Sequence, residues 1–233
     1  MKPPREAAAH EAVVVFVKAP LPGLVKTRLA PRFGTERAAA LYRAMAEDLL
    51  DRLEALEGVR LEIRFAPARE SALLRNWLGA RRRLTPQRGA DLGDRMAAAF
   101  RAAFRDGCER CVLVGSDVPE LLAERVSEAF AKLERNDLVL GPSRDGGYYL
   151  VGMRQSRPEL FKGMPWSTER VYAETTRRAR ALGLRVARLR ILADIDTPAD
   201  VDRLSRRLRS RRVPAAQMPR VVAWLRRVRT QAV

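Results

Sequence analysis

The sequence predicts an α/β fold in which helices flank a mainly parallel central sheet. Strand-like apolar runs alternate with amphipathic helical segments along most of the chain, which is the pattern of βαβ units. Two runs, AVVVFVKAP at 12–20 and CVLVGSD at 111–117, are apolar almost throughout, as expected for parallel strands buried on both faces. Hydrophobic residues make up 47% of the 233 residues, which is enough for a full core.

Local patterns place the elements in order along the chain. The predicted strands cover 12–20, 59–67, 111–117, 137–143, 146–153 and 185–192. The predicted helices cover 35–56, 71–79, 91–107, 119–133, 167–183 and 197–208, and a short amphipathic helix is expected near Pro214 or beyond. In the helix that Thr35 opens, one stripe at helical spacing is apolar: Leu41, Met45, Leu49, Leu53 and Leu56.

Capping signals define several helix ends. Gly107 is expected to end the third helix, and Pro119 to begin the fourth. Ser167 or Thr168 is the expected N-cap of the next helix. The clearest signal is Thr197, which Pro198 and Asp200 follow in a capping pattern.

Composition excludes several classes of protein. No run of about 18 apolar residues exists, so we expect no transmembrane helix. The first residues contain no long apolar stretch ending in a cleavage site, so we expect no secretory signal and a cytoplasmic protein. The single histidine, His10, is expected in a frayed N-terminal tail. This nearly excludes Ser-His-Asp and Cys-His catalysis and a histidine-rich metal site.

The net charge of +17 is concentrated at the C-terminus. Forty of the 45 basic residues are arginines, and residues 203–233 hold ten of them and no acid. We therefore divide the chain into a main domain, 1–208, and a basic C-terminal extension, 209–233, expected to be helical. The extension could bind nucleic acid or a membrane surface. The simpler interpretation is a solvated helical face or a partly disordered end. We favour it because Trp224 is the only aromatic residue among the basic ones, whereas single-stranded nucleic acids stack on several aromatic side chains. We therefore do not expect nucleic acid as a partner.

The loop after the first strand is the first candidate site, because ligands of open α/β sheets bind beyond the carboxyl ends of the strands. KAPLPGLVKTRLAP (18–31) holds Lys18, Lys26 and Arg28, and the whole chain has only five lysines. Such a loop can bring cations and backbone N–H groups onto phosphates. It has neither P-loop nor G-x-G-x-x-G spacing, and an ordinary strand-to-helix connection with solvated cations remains the alternative.

Acidic residues follow three later strands. Asp117 ends a buried strand and is expected either to cap the following helix or to bind Mg²⁺ or Mn²⁺, which take carboxylate and phosphate oxygens. Asp145 precedes two glycines that could let backbone approach a ligand, or that simply form a turn. Asp194 and Asp196 end the last strand on one face, unless they are only loop acids before a helix.

Six motifs in order, over roughly residues 12–205, resemble one bacterial family. They are KAPLPGLVKTRLAP, GADLGDRM, GSDVPEL, GPSRDGGYYLVG, PWSTERV and DIDTPADV. The family consists of GT-A-type nucleotide-diphospho-sugar transferases, often described as radical-SAM/selenodomain-associated transferases or arsenosugar-biosynthesis glycosyltransferases. Its fold is similar to that of the molybdenum-cofactor and phospholactate guanylyltransferases, so the resemblance implies a Rossmann-like GT-A fold.

The resemblance also implies roles for individual residues. The nucleotide would contact Lys18, Ala19, Pro20, Gly23, Lys26, Arg28, Gly93 and Ser116. Asp117, with Asp194 or Asp196, would bind Mg²⁺ or Mn²⁺, and Asp145, Gly146 and Gly147 would line the acceptor side. From the residues themselves, we also place Tyr148 and Trp166 on the acceptor side. Trp166 could stack on a sugar or base there, or could instead be a hydrophobic staple before a helix. Two departures matter: residues 115–117 hold one acid rather than a D-x-D triplet, and the first loop lacks the G-x-G of nucleotidyltransferases.

The sequence thus predicts a metal-dependent transferase that uses a nucleotide or nucleotide-sugar donor and a small-molecule acceptor. Glycosyl transfer is the leading hypothesis, with Asp145 as general base and with Lys26 and Arg28 stabilising the leaving group. Nucleotidyl transfer from a nucleoside triphosphate, with release of pyrophosphate, is the alternative. A nucleic-acid-binding protein and a non-catalytic nucleotide-binding relative are the remaining hypotheses.

Overall fold

Seven strands form one mixed sheet at the centre of the protein. The computed structural model describes residues 10–79 and 81–230. The strands are β1 (Glu11–Lys18), β2 (Val59–Ala66), β3 (Leu84–Pro86), β4 (Arg110–Gly115), β5 (Leu138–Pro142), β6 (Tyr148–Met153) and β7 (Val186–Arg188). They lie in the order β3-β2-β1-β4-β6-β5-β7. β6 runs antiparallel to β4 and β5, and the other pairings are parallel. The predicted α/β class with a mainly parallel sheet is therefore confirmed.

Helices cover both faces of the sheet. They are α1 (Ala30–Phe33), α2 (Thr35–Glu54), α3 (Ser71–Leu78), α4 (Leu92–Arg105), α5 (Ala123–Leu133), α6 (Val171–Ala181), α7 (Pro198–Arg209) and α8 (Pro219–Thr230). Alternate residues of β1 enter two different cores, because successive strand side chains point to opposite faces. Val13 and Val15 pack with α2, α3 and α5, whereas Ala12 and Val14 pack with α4 and α6. Burial on both faces explains the continuous apolar run of this strand.

The structure corrects the predicted starts of two helices. Helix α5 begins at Ala123 rather than at Pro119, because residues 118–121 form a turn that buries Val118 and Leu121. Neither Ser167 nor Thr168 caps α6, which begins at Val171. The hydroxyl of Thr168 instead donates to the carbonyl of Pro165 at 2.7 Å and closes the preceding turn.

Strand β3 was not predicted from the sequence. It has three residues and ends in Pro86, so it is too short to show the alternation that identifies a strand. By contrast, the Thr197 capping box at the start of α7 is confirmed, with Asp200 as the reciprocal partner.

His10 lies at the amino end of β1, at the edge of the sheet opposite the carboxyl ends of the parallel strands. Its carbonyl accepts hydrogen bonds from the N–H groups of Glu109 and Arg110. The expectation that His10 lies in a frayed tail is therefore wrong, because its backbone is hydrogen-bonded beside β1. Residues 1–9 lie outside the described residues. Within the described part of the chain, no helix is both long and apolar enough to span a membrane.

Helix α8, within the basic C-terminal segment, packs against α2. Met218 and Val221 are fully buried there, and Trp224 and Leu225 nearly so. The carboxylate of Asp48 on α2, itself fully buried, accepts hydrogen bonds from the backbone N–H groups of Arg220 and Val221 at 3.2 and 3.0 Å. It thereby satisfies N–H groups at the start of α8 that have no partner within the helix.

We predict that Asp48→Ala lowers the free energy of unfolding by about 2–4 kcal/mol, because it leaves buried N–H donors without partners. Asp51→Ala is the matched control: this carboxylate also pairs with Arg220, at 2.7 Å, but is 46% exposed, so its loss costs less than about 1 kcal/mol. Denaturant unfolding of both variants measures the difference. Equal losses would contradict the assigned role of Asp48.

Candidate functional site

The candidate site lies where the carboxyl ends of β1 and β4 meet the segment that follows β7. The N–H of Ile195 donates to the carbonyl of Asp117 at 3.0 Å, which places Asp194 and Asp196 beside the end of β4. A bridge between Ser143 and Leu192 brings the end of β5 to the same place. Four segments that are distant in the sequence therefore converge, as the parallel topology requires.

Lys26 connects these segments electrostatically. Its backbone is left-handed, with φ 50° and ψ 40°, a conformation that costs a residue with a Cβ roughly 1–2 kcal/mol. Its ammonium is 3.1 Å from Oδ2 of Asp117 and 3.6 Å from Oδ1 of Asp196, and its side chain is only 7% exposed. Arg28 donates to Oδ2 of Asp196 at 2.7 Å. We call Lys26, Arg28, Asp117 and Asp196 the Lys26 cluster.

Two aspartates at this edge have pKa values shifted in opposite directions. Burial raises the pKa of Asp117, but the charge and hydrogen bond of Lys26 outweigh it, so the pKa lies below its ordinary value. Burial, together with the negative charges of Asp145 and Asp117, raises the pKa of Asp194 to about 6. The cluster therefore balances its own charge, whereas the nearby carboxylates of Asp145 and Asp117 disfavour a negative charge on Asp194.

Tyr42 on α2 fixes the positions of the two central strand ends. Its buried hydroxyl accepts a hydrogen bond from the N–H of Lys18 at 2.6 Å and lies 2.8 Å from Oγ of Ser116. The sequence analysis missed Tyr42. It lies on the buried face of α2, between Leu41 and Met45, and a phenol on such a face needs a polar partner.

Two cavities flank the Lys26 cluster, and Asp196 lines both. The inner cavity, about 420 Å³, is lined by Phe16, Lys18, Tyr42, Gln87, Arg95 and Tyr148, among others. The outer groove, about 1010 Å³, is lined by Arg28, Arg144, Asp145, Gly146, Arg190 and Asp194, among others. The inner cavity thus has aromatic walls and a cationic end, whereas the outer groove is shallow and is lined by both acidic and basic side chains.

The structure brings most of the predicted site residues to these cavities. Lys18, Lys26, Ser116, Asp117, Asp196 and Tyr148 line the inner cavity, and Arg28, Asp145, Gly146, Asp194 and Asp196 line the groove. Gln87 and Arg95 were missed. Gln87 directly follows β3, the strand that the sequence did not reveal. Arg95 lies within the motif GADLGDRM, of which only Gly93 was predicted as a site residue.

Six predicted residues do not line either cavity. They are Ala19, Pro20, Gly23, Gly93, Gly147 and Trp166. Gly93 has a packing role, because a Cβ there would be 2.7 Å from the carbonyl oxygen of Phe161 and 2.8 Å from the Trp166 ring. Trp166 itself packs on Phe161, with ring centroids 6.4 Å apart.

The glycine after Asp145 likewise serves the chain's own packing. Gly146 has a φ of 87°, and a Cβ there would be 2.1 Å from the carbonyl oxygen of Glu169. Its own carbonyl accepts a hydrogen bond from the N–H of Tyr172. Gly146 and Gly147 predicted a close approach of the backbone to a ligand. At Gly146, the backbone instead approaches the loop before α6 of the protein itself.

The acids at this edge do not form a preformed metal cage. In the described part of the chain, no group of three or more His, Cys, Asp or Glu side chains is arranged to hold an ion. Two of these acids, Asp117 and Asp196, instead pair with Lys26 and Arg28. Mg²⁺, however, is usually bound by only one or two carboxylates together with substrate phosphates and water. The donor set therefore fits an ion that arrives with a nucleotide.

We predict that Asp194 makes the unliganded protein less stable as the pH rises from about 4 to 6. The folded state keeps the proton of Asp194 until about pH 6, whereas the unfolded chain releases it near the ordinary value of 3.8. This shift corresponds to at most about 3 kcal/mol, and solvent screening of the partly exposed carboxylate reduces the loss of folding free energy to about 1–2 kcal/mol. Asp194→Asn removes that loss, and Asp106→Asn, at an exposed carboxylate, is the control. Unfolding at pH 4, 6 and 8 measures the effect. A pH dependence unchanged by Asp194→Asn would contradict the assigned environment.

Solved structures resemble this chain over most of its length. A protein of Desulfovibrio desulfuricans G20, provisionally described as a nucleotide-diphospho-sugar transferase, is 37% identical, covers 94% of this chain and 97% of its own, and superimposes with a TM-score of 0.85. This match confirms the expected nucleotide-diphospho-sugar transferase fold.

Two nucleotidyltransferases share the fold at lower identity. CMP:2-keto-3-deoxy-manno-octonic acid synthetase complexed with CTP, of unstated organism, has a TM-score of 0.54 and 13% identity over 87% of this chain and 100% of its own. The 4-diphosphocytidyl-2C-methyl-D-erythritol synthase of Anaerococcus prevotii DSM 20548 has a TM-score of 0.56 and 11% identity over 87% of this chain and 98% of its own.

A search of curated proteins finds no match. A family model matches residues 49–168, just over half of the chain. That segment contains β4, β5 and β6 and the residues Asp117 and Asp145 of the candidate site. The chain therefore belongs to the bacterial family described as "Uncharacterized protein conserved in bacteria (DUF2064)".

Proposed function

We propose that the protein is a transferase that uses a nucleotide-diphosphate donor and transfers its glycosyl group to a small acceptor. One observation carries this proposal: the Lys26 cluster places two cations and two carboxylates on the boundary between two cavities. A donor in the inner cavity would point its diphosphate at this boundary, and an acceptor would lie in the outer groove. The Desulfovibrio relative, by its description, supports a donor of this class.

Binding would exchange the partners within the cluster. In the free protein, Asp117 and Asp196 neutralise Lys26 and Arg28. A diphosphate would take both cations, since charge-assisted bonds to phosphate are among the stronger polar contacts. The released carboxylates would then be free to bind a cation. The left-handed backbone at Lys26 keeps its ammonium at the boundary before the ligand arrives.

Asp117, with Asp194 or Asp196, would hold Mg²⁺ or Mn²⁺ here, and the ion would neutralise charge that develops on the departing phosphate. Lys26 and Arg28 would stabilise the same developing charge from the protein side. Asp145 is our candidate for the base that takes the acceptor's proton. Its Oδ1 accepts hydrogen bonds from the hydroxyl of Ser143 and, at 3.0 Å, from the N–H of Gly147, so the carboxylate is held in the groove.

Nucleotidyl transfer is the second candidate, and two arginines favour it. Arg144 and Arg190 line the outer groove, and neither pairs with a carboxylate among the described residues. Unpaired guanidinium groups at the acceptor side suit a phosphorylated acceptor, which would attack a nucleoside triphosphate without needing a base. The products separate the two reactions: glycosyl transfer releases a nucleoside diphosphate, and nucleotidyl transfer releases pyrophosphate. The association with radical-SAM proteins that the resemblance implies stays a prediction.

We predict that Lys26→Ala and Arg28→Ala each weaken nucleotide binding about 10- to 150-fold, because each loses a charge-assisted bond of roughly 1.5–3 kcal/mol. Arg28 is 68% exposed, so its variant keeps the fold, and Arg28→Lys is only partly tolerated because a point charge does not replace the guanidinium fork. Calorimetric titration of nucleoside diphosphates and triphosphates with Mn²⁺ measures the affinities.

Lys162→Ala and Arg170→Ala are the matched controls, since both side chains are exposed and line neither cavity. They should bind nucleotide within about twofold of the wild-type affinity. Near-wild-type affinity in both Lys26→Ala and Arg28→Ala would remove the first-strand loop from the site and would end the proposal.

A further inference from the structure

A third cavity, in which no site was predicted from the sequence, lies between α4 and the outer strands of the sheet. We call it the arginine cavity. Its volume is about 690 Å³, and its walls come from β2, from the segment around β3 and from the exposed side of α4. Six of its lining residues are arginines: Arg64, Arg83, Arg88, Arg95, Arg101 and Arg105. It therefore concentrates positive charge in one concave place.

Two of the three acids that line the arginine cavity are paired with arginines. Glu62 is buried between Arg60 and Arg64, at 3.0 and 3.1 Å, and Asp106 pairs with Arg105 at 3.6 Å. The third, Asp94, accepts a hydrogen bond from the N–H of Ala90, just before α4, so the six arginines outnumber the three acids.

Four of the lining arginines have no carboxylate partner among the described residues: Arg83, Arg88, Arg95 and Arg101. Arg83, Arg88 and Arg101 are exposed, and Arg95 donates instead to the carbonyl of Gly89. Surface arginines that converge on one concavity repel one another and focus a positive field there, and an anionic ligand relieves that repulsion. Scattered solvated arginines would not need this arrangement.

The face of the sheet under the arginine cavity is also unusual. On β2, Ile63 and Phe65 enter the core with α2 and α3, so Glu62 and Arg64 point to the opposite face. That face carries an ion pair and opens into the cavity, where an ordinary sheet face would carry apolar residues under a helix. The strand thus presents a guanidinium group to the cavity instead of a packing surface.

We propose that the arginine cavity binds a phosphate-bearing anion. The planar guanidinium group matches phosphate oxygens bidentately, and several such groups surround the cavity. Phe16, Gln87 and Arg95 line both this cavity and the inner cavity. The phosphate therefore has two candidate sources. It belongs either to the ligand of the inner cavity, which would extend past Arg95, or to a second phosphorylated ligand that contacts Arg95 from the arginine cavity. The inference rests on this cavity alone and does not require the proposed reaction.

Inorganic tripolyphosphate is the probe that tests the proposal. Calorimetric titration at fixed ionic strength compares wild type, Arg83→Gln/Arg101→Gln and the control Arg135→Gln/Arg180→Gln. The control removes two exposed arginines, one just after α5 and one on α6. We expect the cavity variant to bind tripolyphosphate at least tenfold more weakly, and the control to bind within twofold of wild type. Equal weakening in both variants, or no binding to wild type, would overturn the proposal. All four substituted side chains are exposed, so thermal unfolding should be unchanged.

A second arm identifies the source of the phosphate. If Arg83→Gln/Arg101→Gln also weakens nucleoside triphosphate binding, the phosphate belongs to the nucleotide itself. If nucleotide affinity is unchanged and tripolyphosphate still binds the nucleotide-saturated protein, the ligand is separate. Either result supports the cavity as a site. If Lys26→Ala and Arg28→Ala do not weaken nucleotide binding, the proposed function fails, but the tripolyphosphate comparison still holds. That comparison uses different residues and a different probe.

Discussion

The functional edge of the protein depends on the pairing of Lys26 with Asp117 and Asp196. An ammonium group that is 7% exposed must have carboxylate partners, since burying an unpaired charge costs several kcal/mol. The partners lie 91 and 170 residues away in the sequence, so the pairing ties the loop after β1 to the end of β4 and to the segment after β7. The same pairing holds charges of both signs ready at the boundary between two cavities.

The rest of the fold supports this pairing in layers. The hydroxyl of Tyr42, on α2, is hydrogen-bonded to Lys18 at the end of β1 and to Ser116 just after β4, so α2 holds these two strand ends together. Helix α2 is in turn covered by α8, whose first turn is bound by the fully buried Asp48. The basic C-terminal helix therefore contributes to the structure under the site, although none of its residues lines either cavity beside the Lys26 cluster.

For physical reasons, the sequence was sufficient for the fold class and for selecting charged residues that the structure brings to one edge of the sheet. The roles of these residues in binding and catalysis stay predictions. Apolar runs such as β1 and β4 and the capping box at Thr197 are local signals, and the rule that ligands bind at strand carboxyl ends selected Lys26, Arg28, Asp117 and Asp196. Whether these charges pair with each other depends on tertiary packing, which no local pattern contains. The same limit explains why Gln87, Arg95 and the arginine cavity were missed. Gln87 follows β3, which has only three residues, and the arginine cavity is formed by side chains from several separate strands and helices.

The central claim is that a nucleotide displaces the acids from the Lys26 cluster and takes its cations. A crystal structure with a nucleoside diphosphate and Mn²⁺, located by its anomalous signal, tests this most directly. The account predicts phosphate oxygens within about 3 Å of Lys26 Nζ and the Arg28 guanidinium, with Mn²⁺ on Asp117. A nucleotide bound elsewhere, with Lys26 still paired to Asp117 and Asp196, would contradict it.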